Sequence, residues 1–397
     1  MSNQFYDVIV VGAGPAGSYA SCQLASSGYR VAVLEQKSAP GLDVCCTGII
    51  STECFDSFDI NPEVISNRAN SAKFFSPSGK CLRLQTEKIQ ACIVDRPSFD
   101  QAIARKAQTE GASYFFSSRV ITVTVKRDRV QIEALCHKSK EIFAARAAIL
   151  ADGFKSGLSQ HLALGKINHF LTGAQVEMEA RGIDEVEIYF GQQIAPGSFA
   201  WLVPISPDKV LAGLLATSQA KLHLQKFLLS LSPQNRIISQ NTEIKQKAIP
   251  LQTLPRTYGD RILVIGDAAG QVKPSTAGGI YFGHIGAAIA AEVLSESLSS
   301  DDLTTGKLSG YQKAWKAKIG KEISLDYRAR CVYSKLGDHQ IERVFNILDS
   351  DGITETLLNS PSFSFDWHSK LLMTALKYRL AHPWRKARHI LPWEANL

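Results

Sequence analysis

The stretch that decides the fold is "YDVIVVGAGPAGSYASCQLASSG", Tyr6 to Gly28, near the start of a chain of 397 residues. An apolar, largely β-branched run from Val8 to Val11 stops at a glycine-rich turn, and a small-residue helix is predicted to follow to about Ser27. A second apolar run, Val31 to Leu34, ends in Glu35. The order strand, glycine turn, helix, strand and acid is typical of a doubly wound α/β domain that binds a dinucleotide.

The residue types of this turn suit a diphosphate. Glycines are needed where the backbone turns sharply and approaches a pyrophosphate, and the helix N-terminus supplies free N–H donors. The acid after the second strand accepts a hydrogen bond from a ribose hydroxyl. The residues predicted to hold the adenosine diphosphate half of the cofactor are Gly12, Ala13, Gly14, Ala16, Gly17, Glu35 and Gln36.

A second glycine-rich segment repeats this logic far along the chain, between Arg261 and Leu294. An apolar strand, Ile262 to Ile265, is followed by Asp267 and then by a glycine turn that leads into an alanine-rich helix. An aspartate at a strand end can bind a ribityl hydroxyl, and Gly278 and Gly279 let backbone N–H groups approach the pyrimidine edge of a flavin. Two distant elements that close on one long cofactor favour FAD over NAD.

Composition limits the other possibilities. At 45% hydrophobic residues the chain has ample material for a core, and its length favours two closely associated domains. The eight cysteines include no C-x-x-C pair and no zinc-like spacing, so neither a disulfide framework nor a metal site is expected. The N-terminus lacks a basic region before its apolar run and predicts neither a signal peptide nor a spanning helix. We therefore expect a cytoplasmic protein.

The net charge of +7, from 44 basic and 37 acidic residues, is concentrated near the C-terminus. From Trp367 to Trp393 there are six Lys or Arg and no acid. One interpretation is a basic helix with aromatic ends that makes peripheral contact with an anionic membrane, and the other is a solvated helix packed on the protein. Nucleic acid is not an expected partner, because no nucleic-acid-binding motif accompanies the charge.

Six motifs together resemble the FAD-dependent geranylgeranyl reductase family, within the flavoprotein group that includes aromatic hydroxylases. They are "VGAGPAGS" with Glu35, "CCTGI", "VDRPSFD", "ADG" at Ala151 to Gly153, "APGSFAWLVP" at Ala195 to Pro204, and "GDAAGQVKPSTAGGI". The resemblance implies an α/β fold with a Rossmann-like FAD-binding domain, an interleaved antiparallel-sheet substrate domain and a helical C-terminal region. The expected boundaries are 1–75, 95–160 and 255–300 for the FAD domain, 76–94 and 161–254 for the substrate domain, and 301–397 for the C-terminal region.

The resemblance also implies further site residues. Arg96 corresponds to an arginine that reaches the phosphates or ribityl chain, and Val120 to the residue that packs the adenine. The family turn P-V-R-C-G-E-G places its cysteine at Cys46 and an arginine at Cys45, so that Cys46 is the candidate catalytic residue. The remaining expected cofactor contacts are Thr47, Ile49, Asp152, Asp267, Gly278, Gly279 and Ile280.

The segment "APGSFAWLVP" resembles a family signature, P-x-x-Y-x-W-x-F-P, whose alternate aromatics face a substrate tunnel. Alternation along a strand places Phe199, Trp201 and Val203 on one face, which is either core or the wall of an isoprenoid channel. The implied reaction adds two hydrogens across unactivated C=C bonds of a geranylgeranyl-type chain, with NADPH or ferredoxin as electron donor. The proton source is left open between Cys46, a water molecule and His284.

Two other functions stay open on the same fold. One is a flavin-dependent monooxygenase or halogenase, although "FAWLVP" lacks the first Trp of the halogenase strand W-x-W-x-I-P. The other is a flavin-binding electron-transfer or lipid-carrier protein. The substrate is equally open among a glycerolipid, free geranylgeranyl diphosphate, a chlorophyll precursor and a quinone tail. In the last third of the chain, helices are predicted at Gly278 to Leu298 and from Leu308 to about Leu336.

Overall fold

The computed structural model describes residues 5–154, 156–232, 236–238, 243–349, 358 and 364–367. The chain divides into two compact units, each assembled from three stretches. The first unit is Met1–Val64, Val94–Phe170 and Ala248–Tyr327, and the second is Ile65–Ile93, Leu171–Lys247 and Arg328–Leu397. Apart from Trp367, the basic segment that ends at Trp393 lies outside the described residues.

The described elements form runs of consecutive strands separated by single helices, and helices alone follow β18. The strands are β1 (Phe5–Val11), β2 (Val31–Leu34), β3 (Ile49–Ser51), β4 (Ile65–Ala69), β5 (Ser71–Phe75), β6 (Cys81–Gln85), β7 (Ala91–Val94), β8 (Ser113–Phe115), β9 (Ser118–Val125), β10 (Val130–Cys136), β11 (Ser139–Leu150), β12 (Phe170–Glu179), β13 (Val186–Phe190), β14 (Phe199–Ser206), β15 (Lys209–Ala216), β16 (Lys245–Pro250), β17 (Tyr258–Gly259) and β18 (Ile262–Val264). The helices are α1 (Pro15–Ser26), α2 (Thr52–Phe58), α3 (Arg96–Thr109), α4 (Leu158–His161), α5 (Ala220–Leu231), α6 (Ile280–Ser299), α7 (Thr305–Trp315), α8 (Lys321–Tyr333) and α9 (Asp338–Asp349).

The first unit contains an eight-stranded sheet with a parallel centre. Its strand order is β17-β18-β11-β1-β2-β8, and β10 pairs with both β11 and β9. β1 is parallel to β2 on one side and to β11 on the other, and β11 is parallel to β18. Because the carboxyl ends of parallel strands meet at one edge, the residues after β1, β2, β11 and β18 gather there, which is where such sheets bind ligands. Helix α1 packs against both α3 and α6 beside this sheet.

The second unit contains a seven-stranded sheet in the order β16-β12-β15-β14-β13-β5-β6. The pairs that β15 makes with β12 and β14 are antiparallel, whereas β13 and β5 run parallel. Helix α5 is amphipathic, and its apolar side, including Leu224 and Phe227, packs with inward-facing strand residues such as Ala200 and Leu202. The alternate residues of β14 therefore lie on the opposite face of the sheet.

The α/β class is confirmed, and the structure differs from the sequence-based expectations in detail. The strand Ser71–Phe75, expected in the FAD domain, pairs with β13 and β6 of the second unit. The helix expected from Leu308 to about Leu336 is divided into α7, a π-helical turn at Lys316–Gly320, and α8, which ends at Tyr333. The residues after 300 divide between the two units at residue 327. Among the described helices, none is long and apolar enough to cross a bilayer.

Candidate functional site

The first glycine turn is built from close backbone approaches. Gly12 has a φ of +100°, and a Cβ added there would lie 2.5 Å from the carbonyl oxygen of Ala151. A Cβ on Gly17 would lie 2.1 Å from the carbonyl oxygen of Gly12, so helix α1 can begin at this point only because residue 17 has no side chain. Glycine is therefore required at positions 12 and 17, because a side chain at either one would clash with the backbone of the turn.

The space in front of α1 is open. A Cβ on Gly14 would have no other atom within 4 Å, and Gly14 is the N-cap of α1 without a side-chain cap. Pro15 follows at the first helical position. Because no side chain caps the first-turn N–H groups, the helix N-terminus is suited to bind an anion.

Glu35 lies against the same turn. Its Oε2 accepts a hydrogen bond of 2.8 Å from the backbone N–H of Ala13, and its Oε1 accepts one of 2.9 Å from Lys37. The backbone of Glu35 accepts a hydrogen bond from Ser118 at the start of β9, the strand that carries half-buried Val120. Gln36 is exposed. The acid, the glycine turn and the start of β9 are thus brought together.

Asp152 follows β11 at the same edge of the sheet, and its Cα lies 3.2 Å from where a Cβ on Gly12 would be. Its Oδ2 is buried without a hydrogen-bond partner in the described part of the chain. Burial raises the pKa of Asp152 to about 6, although a hydrogen bond with Ser156 acts in the opposite direction. A buried carboxyl oxygen without a partner is costly, which is consistent with a ligand hydroxyl at this position.

The second glycine turn lies between β18 and α6. The Asp267 side chain occupies the space beside Gly279, because a Cβ there would lie 2.7 Å from its Oδ1. Gly278 is similarly close to Lys273, and Ile280 begins α6 without a side-chain cap. The short segment Gly278–Gly279 has no side chains of its own. Asp267 lies beside it, and Ile280 follows it directly.

The two glycine turns converge on Ala16. A Cβ on Gly266 would lie 3.2 Å from the Ala16 Cβ, and one on Gly283 would lie 3.5 Å from it. The segments are about 250 residues apart in sequence, and their close approach makes a single site for an elongated ligand. The open space at Gly14, the uncapped start of α1, the unpaired oxygen of Asp152 and the adjacent glycines Gly278 and Gly279 fit a dinucleotide of the FAD type.

A third turn carries Cys46, Thr47 and Ile49, all of which are half-buried. It is held by Gly48, whose φ is +72° and whose carbonyl oxygen accepts a 2.9 Å hydrogen bond from Val94. The N–H of Gly48 lies 3.5 Å from the Cys46 Sγ. All eight cysteines lie in the described residues and none forms a disulfide, so the adjacent pair Cys45 and Cys46 is not bridged.

Arg96 is the first residue of α3, and Asp95 caps that helix by accepting from the N–H of Ser98. Nη2 of Arg96 lies 2.8 Å from Oδ1 and 3.1 Å from Oδ2 of Asp100, one helical turn further on. The guanidinium also interacts with the Cys46 side chain. Burial disfavours the cation, but Asp100 and Cys46 together raise the pKa of Arg96 above its usual value. The arginine is thus fixed beside Cys46.

His284 lies in an aromatic cage formed by Tyr19, Phe58 and Phe99, with ring centroids at 5.0, 5.1 and 6.2 Å. Its Nδ1 is 2.8 Å from the carbonyl oxygen of Ile280 and therefore carries the proton. Burial lowers the pKa of His284 to about 4, and the charge of Arg96 acts in the same direction. A neutral imidazole whose only N–H is bonded to a carbonyl is a poor acid, which makes His284 a less suitable proton source than Cys46.

The aromatic strand belongs to the second unit. Trp201 pairs with Gly213 of β15, and a Cβ on Gly213 would lie 2.4 Å from Cζ2 of Trp201, so the indole lies across the glycine. Its Nε1 is buried and has no hydrogen-bond partner among the described residues. Phe199 is half-buried at 5.9 Å from Trp201, and Val203 is fully buried. This glycine was not identified from the sequence, because the pairing requires the register of β14 and β15.

Comparison with known proteins supports the nature of this site. The profile of the family described as FAD binding domain matches residues 5–303. The digeranylgeranylglycerophospholipid reductase of Methanocaldococcus jannaschii is 30% identical over 88% of this chain and 93% of its own length. The enzyme of the same name from Methanococcus vannielii is 31% identical over 89% of this chain and 91% of its own.

Two solved structures show the fold. A geranylgeranyl bacteriochlorophyll reductase-like protein from Thermoplasma acidophilum superposes with a TM-score of 0.83 at 22% identity, covering 96% of this chain and 98% of its own. The flavin-dependent halogenase CmlS gives a TM-score of 0.65 at 15% identity, covering 96% of this chain and 78% of its own. The cofactor prediction is confirmed: this chain belongs to the FAD-binding-domain family of flavoprotein oxidoreductases, together with the digeranylgeranylglycerophospholipid reductases.

Proposed function

We propose that this protein reduces C=C bonds in the geranylgeranyl chains of a prenylated glycerolipid. The observation that carries the proposal is the similarity, along nearly nine-tenths of the chain, to two reductases named for such a lipid. The likeness to the halogenase is limited to the fold at 15% identity and gives no comparable support for halogenation. The aromatic face of β14 supplies an apolar surface of the kind that an isoprenoid needs.

The placement of the cofactor residues is part of the proposal. Gly12, Ala13, Gly14, Ala16 and Gly17 bind the diphosphate, and Glu35, Gln36 and Val120 surround the adenosine. Asp152 and Asp267 bind hydroxyl groups of the ribityl chain. The backbone of Gly278, Gly279 and Ile280 and the turn of Cys46, Thr47 and Ile49 would hold the flavin ring. Arg96 would help to hold Cys46 in place, because its guanidinium interacts with the Cys46 side chain.

The chemistry divides between the cofactor and the chain. Bound FAD in its reduced form supplies a hydride to one carbon of the alkene. The other carbon needs a proton, so the C=C bond becomes a CH–CH bond while the flavin is left oxidised and the proton donor regains its proton from water. Cys46 is the proposed proton donor, because its Sγ is fixed by Gly48 and Arg96 whereas the proton of His284 is committed to a carbonyl. Phe199 and Trp201 bind the chain and exclude water, and Val203, which is fully buried, supports this face from within.

The experiment is an anaerobic incubation of the dithionite-reduced holoenzyme with digeranylgeranylglycerophospholipid, followed by mass spectrometry of the extracted lipid. We expect a gain of two mass units for each saturated bond. Oxygenated or halogenated lipid, formed only in air and with oxygen uptake, would show a monooxygenase or halogenase instead. Unchanged lipid under both conditions would favour an electron-transfer or carrier role. NADPH and reduced ferredoxin can be compared by the rate at which each bleaches the flavin.

The role of Cys46 is tested by comparing Cys46→Ser with Cys45→Ser. Both cysteines are half-buried neighbours, so the second variant is a matched control. General acids contribute about 10²-fold or more, and we expect turnover of the Cys46→Ser variant to fall by that factor with FAD retained. Cys45→Ser should change turnover by no more than about twofold, because this thiol has no proposed role in the chemistry. Full turnover in Cys46→Ser would show that this thiol only packs.

Peripheral contact with a membrane stays a prediction, since the basic C-terminal segment on which it depends lies outside the described residues. A lipid substrate makes such contact useful. Removal of residues 368–397 followed by flotation with anionic vesicles tests it, because loss of flotation with retained FAD is the expected result.

A further inference from the structure

The second glycine turn contains a buried lysine. Lys273 is only 4% exposed, although lysines are rarely buried to this extent. It lies in the loop between β18 and α6, which the sequence-based reasoning identified only by its glycines and Asp267. The backbone N–H of Lys273 donates to the carbonyl oxygen of Gly278 at 3.0 Å, and its carbonyl oxygen accepts from Ala277 at 2.8 Å. Lys273 therefore closes this turn at both of its backbone groups.

The side chain of Lys273 folds back over the same turn. A Cβ on Gly278 would lie 2.8 Å from Cε of Lys273 and 3.4 Å from its Nζ. The ammonium group is therefore within a few ångströms of the Gly278 backbone. Any other residue at position 278 would displace the lysine, so this glycine makes room for a cation as well as for a ligand.

The loop is anchored by an acid on α8. Oδ2 of Asp326 accepts hydrogen bonds of 2.8 Å from both the N–H and the hydroxyl of Ser275. Asp326 is 3% exposed, and Glu322, one turn earlier on the same helix, is 5% exposed. Asp326 thus holds the loop that carries Lys273 against α8.

A reduced flavin holds more negative charge on its pyrimidine edge than an oxidised one, and a nearby cation stabilises that charge. We infer that Lys273 sets the reduction potential of the bound FAD, through the field of its ammonium group beside Gly278. This inference rests on the flavin position proposed above, but not on the identity of the lipid. Lys273 thus acts on the flavin through its charge, and the effect does not depend on the substrate.

The test is the midpoint potential of the FAD in the holoenzyme, measured without substrate by equilibration with redox dyes. Lys273→Met keeps the length of the side chain and removes its charge, Lys273→Arg keeps the charge, and Lys307→Met removes an exposed lysine of α7 as a control. We expect Lys273→Met to make reduction about tenfold less favourable, the size of effect that a unit charge has within about 10 Å at an effective dielectric constant of about 20. Lys273→Arg and Lys307→Met should stay near the wild-type potential.

A wild-type potential in Lys273→Met, or an equal shift in Lys273→Arg, would overturn the inference. If Lys273→Met loses FAD during purification, the shift in midpoint potential is obtained instead from two Kd values of its apoprotein, one for oxidised and one for dithionite-reduced FAD. Greater loss of affinity for the reduced form is expected, and equal losses would show a purely structural role. If Lys273→Met does not fold, Lys273→Gln replaces it in both measurements. A shifted potential in a protein that leaves the lipid unchanged would support this inference while contradicting the proposed reaction.

Discussion

The two glycine turns of the first unit perform related tasks by different means. In the turn of Gly12 to Gly17, backbone segments contact one another directly, and this packing requires that Gly12 and Gly17 have no side chains. The turn between Gly266 and Ile280 is made of buried side chains, including Gln271 and Lys273, which fill the space beside its glycines. Both turns can be recognised from their glycines, but the side chains that fill the second turn also depend on partners on distant helices such as α7 and α8.

The largest expected effect is in the first turn. Gly12→Ala places a side chain at a φ of +100° and 2.5 Å from the carbonyl oxygen of Ala151. We expect it to destabilise the apoprotein by about 3 kcal/mol or more and to abolish FAD binding, because backbone strain and a steric clash act together. Chemical denaturation and the absorbance of bound flavin at purification measure both. An apoprotein with wild-type stability would show that this turn is less constrained than its backbone indicates.

A pH experiment compares Asp152, beside the first turn, with His284, beyond the second. The pKa of Asp152 is raised from 3.8 to about 6, so the stability it contributes is lost as pH rises from about 4 to 6. The pKa of His284 is lowered from 6.5 to about 4, so stability is lost as pH falls from about 6.5 to 4. Each effect is about 3 kcal/mol at about 1.4 kcal/mol per pKa unit, and the two nearly cancel in the wild-type apoprotein.

Single variants should separate these slopes. Relative to wild type, Asp152→Asn should gain stability steadily from pH 4 to 6, and His284→Phe should gain stability as pH falls through the same range. Urea denaturation of the apoproteins at several pH values measures the differences. Parallel stability profiles in all three proteins would show that neither group is as desolvated as the structure indicates.

In the second turn, Gln271 joins two elements. Its Oε1 accepts from the N–H of Gly266 at 2.8 Å, and its Nε2 lies 2.8 Å from the hydroxyl oxygen of Tyr311 on α7. Gln271→Leu leaves the N–H of Gly266 without its side-chain acceptor, whereas the Tyr311 hydroxyl still donates to the carbonyl oxygen of Val264. We expect a loss of about 2 kcal/mol in the free energy of unfolding. Gln108→Leu on the exposed side of α3 is the matched control and should change stability by less than about 0.5 kcal/mol. Equal losses of stability in Gln271→Leu and Gln108→Leu would show that the second turn does not depend on its buried side chain.

The smallest effect is expected at Gly14. Its added Cβ meets no atom of the protein within 4 Å, and its φ of −70° suits any residue. Gly14→Ala should therefore leave the apoprotein stable and weaken FAD binding by about tenfold, since the methyl group lies where the diphosphate approaches. Fluorescence titration of the apoprotein with FAD gives the Kd. Unchanged affinity would place the diphosphate elsewhere.

The sequence was sufficient for the elements that depend on local patterns. Val8 to Gly17 predicted β1, the turn and α1, and the later repeat of strand and glycines predicted β18 and α6. The alternation of Phe199, Trp201 and Val203 predicted a strand with one shared face, as observed in β14. These features follow from short-range sterics and from the periodicity of side chains, which a single sequence records directly.

The remaining features depend on tertiary contacts that no local pattern encodes. The i, i+4 spacing of Arg96 and Asp100 is visible in the sequence, but the contact of Arg96 with Cys46 requires two distant turns to meet. The cage of His284 draws one ring from each of α1, α2 and α3. The division of the predicted helix after Leu308 occurs at a π-helical turn that ends at Gly320, which periodicity alone does not locate.

The most direct test of the central claim is an anaerobic single turnover. Photoreduced holoenzyme, free of excess reductant, is mixed with digeranylgeranylglycerophospholipid while the absorbance of the flavin is followed. We predict that the oxidised spectrum returns without oxygen, and that the lipid gains two mass units for each flavin reoxidised. A flavin that stays bleached until air is admitted, with lipid of unchanged mass before that point, would contradict the assignment of this protein as an isoprenoid reductase.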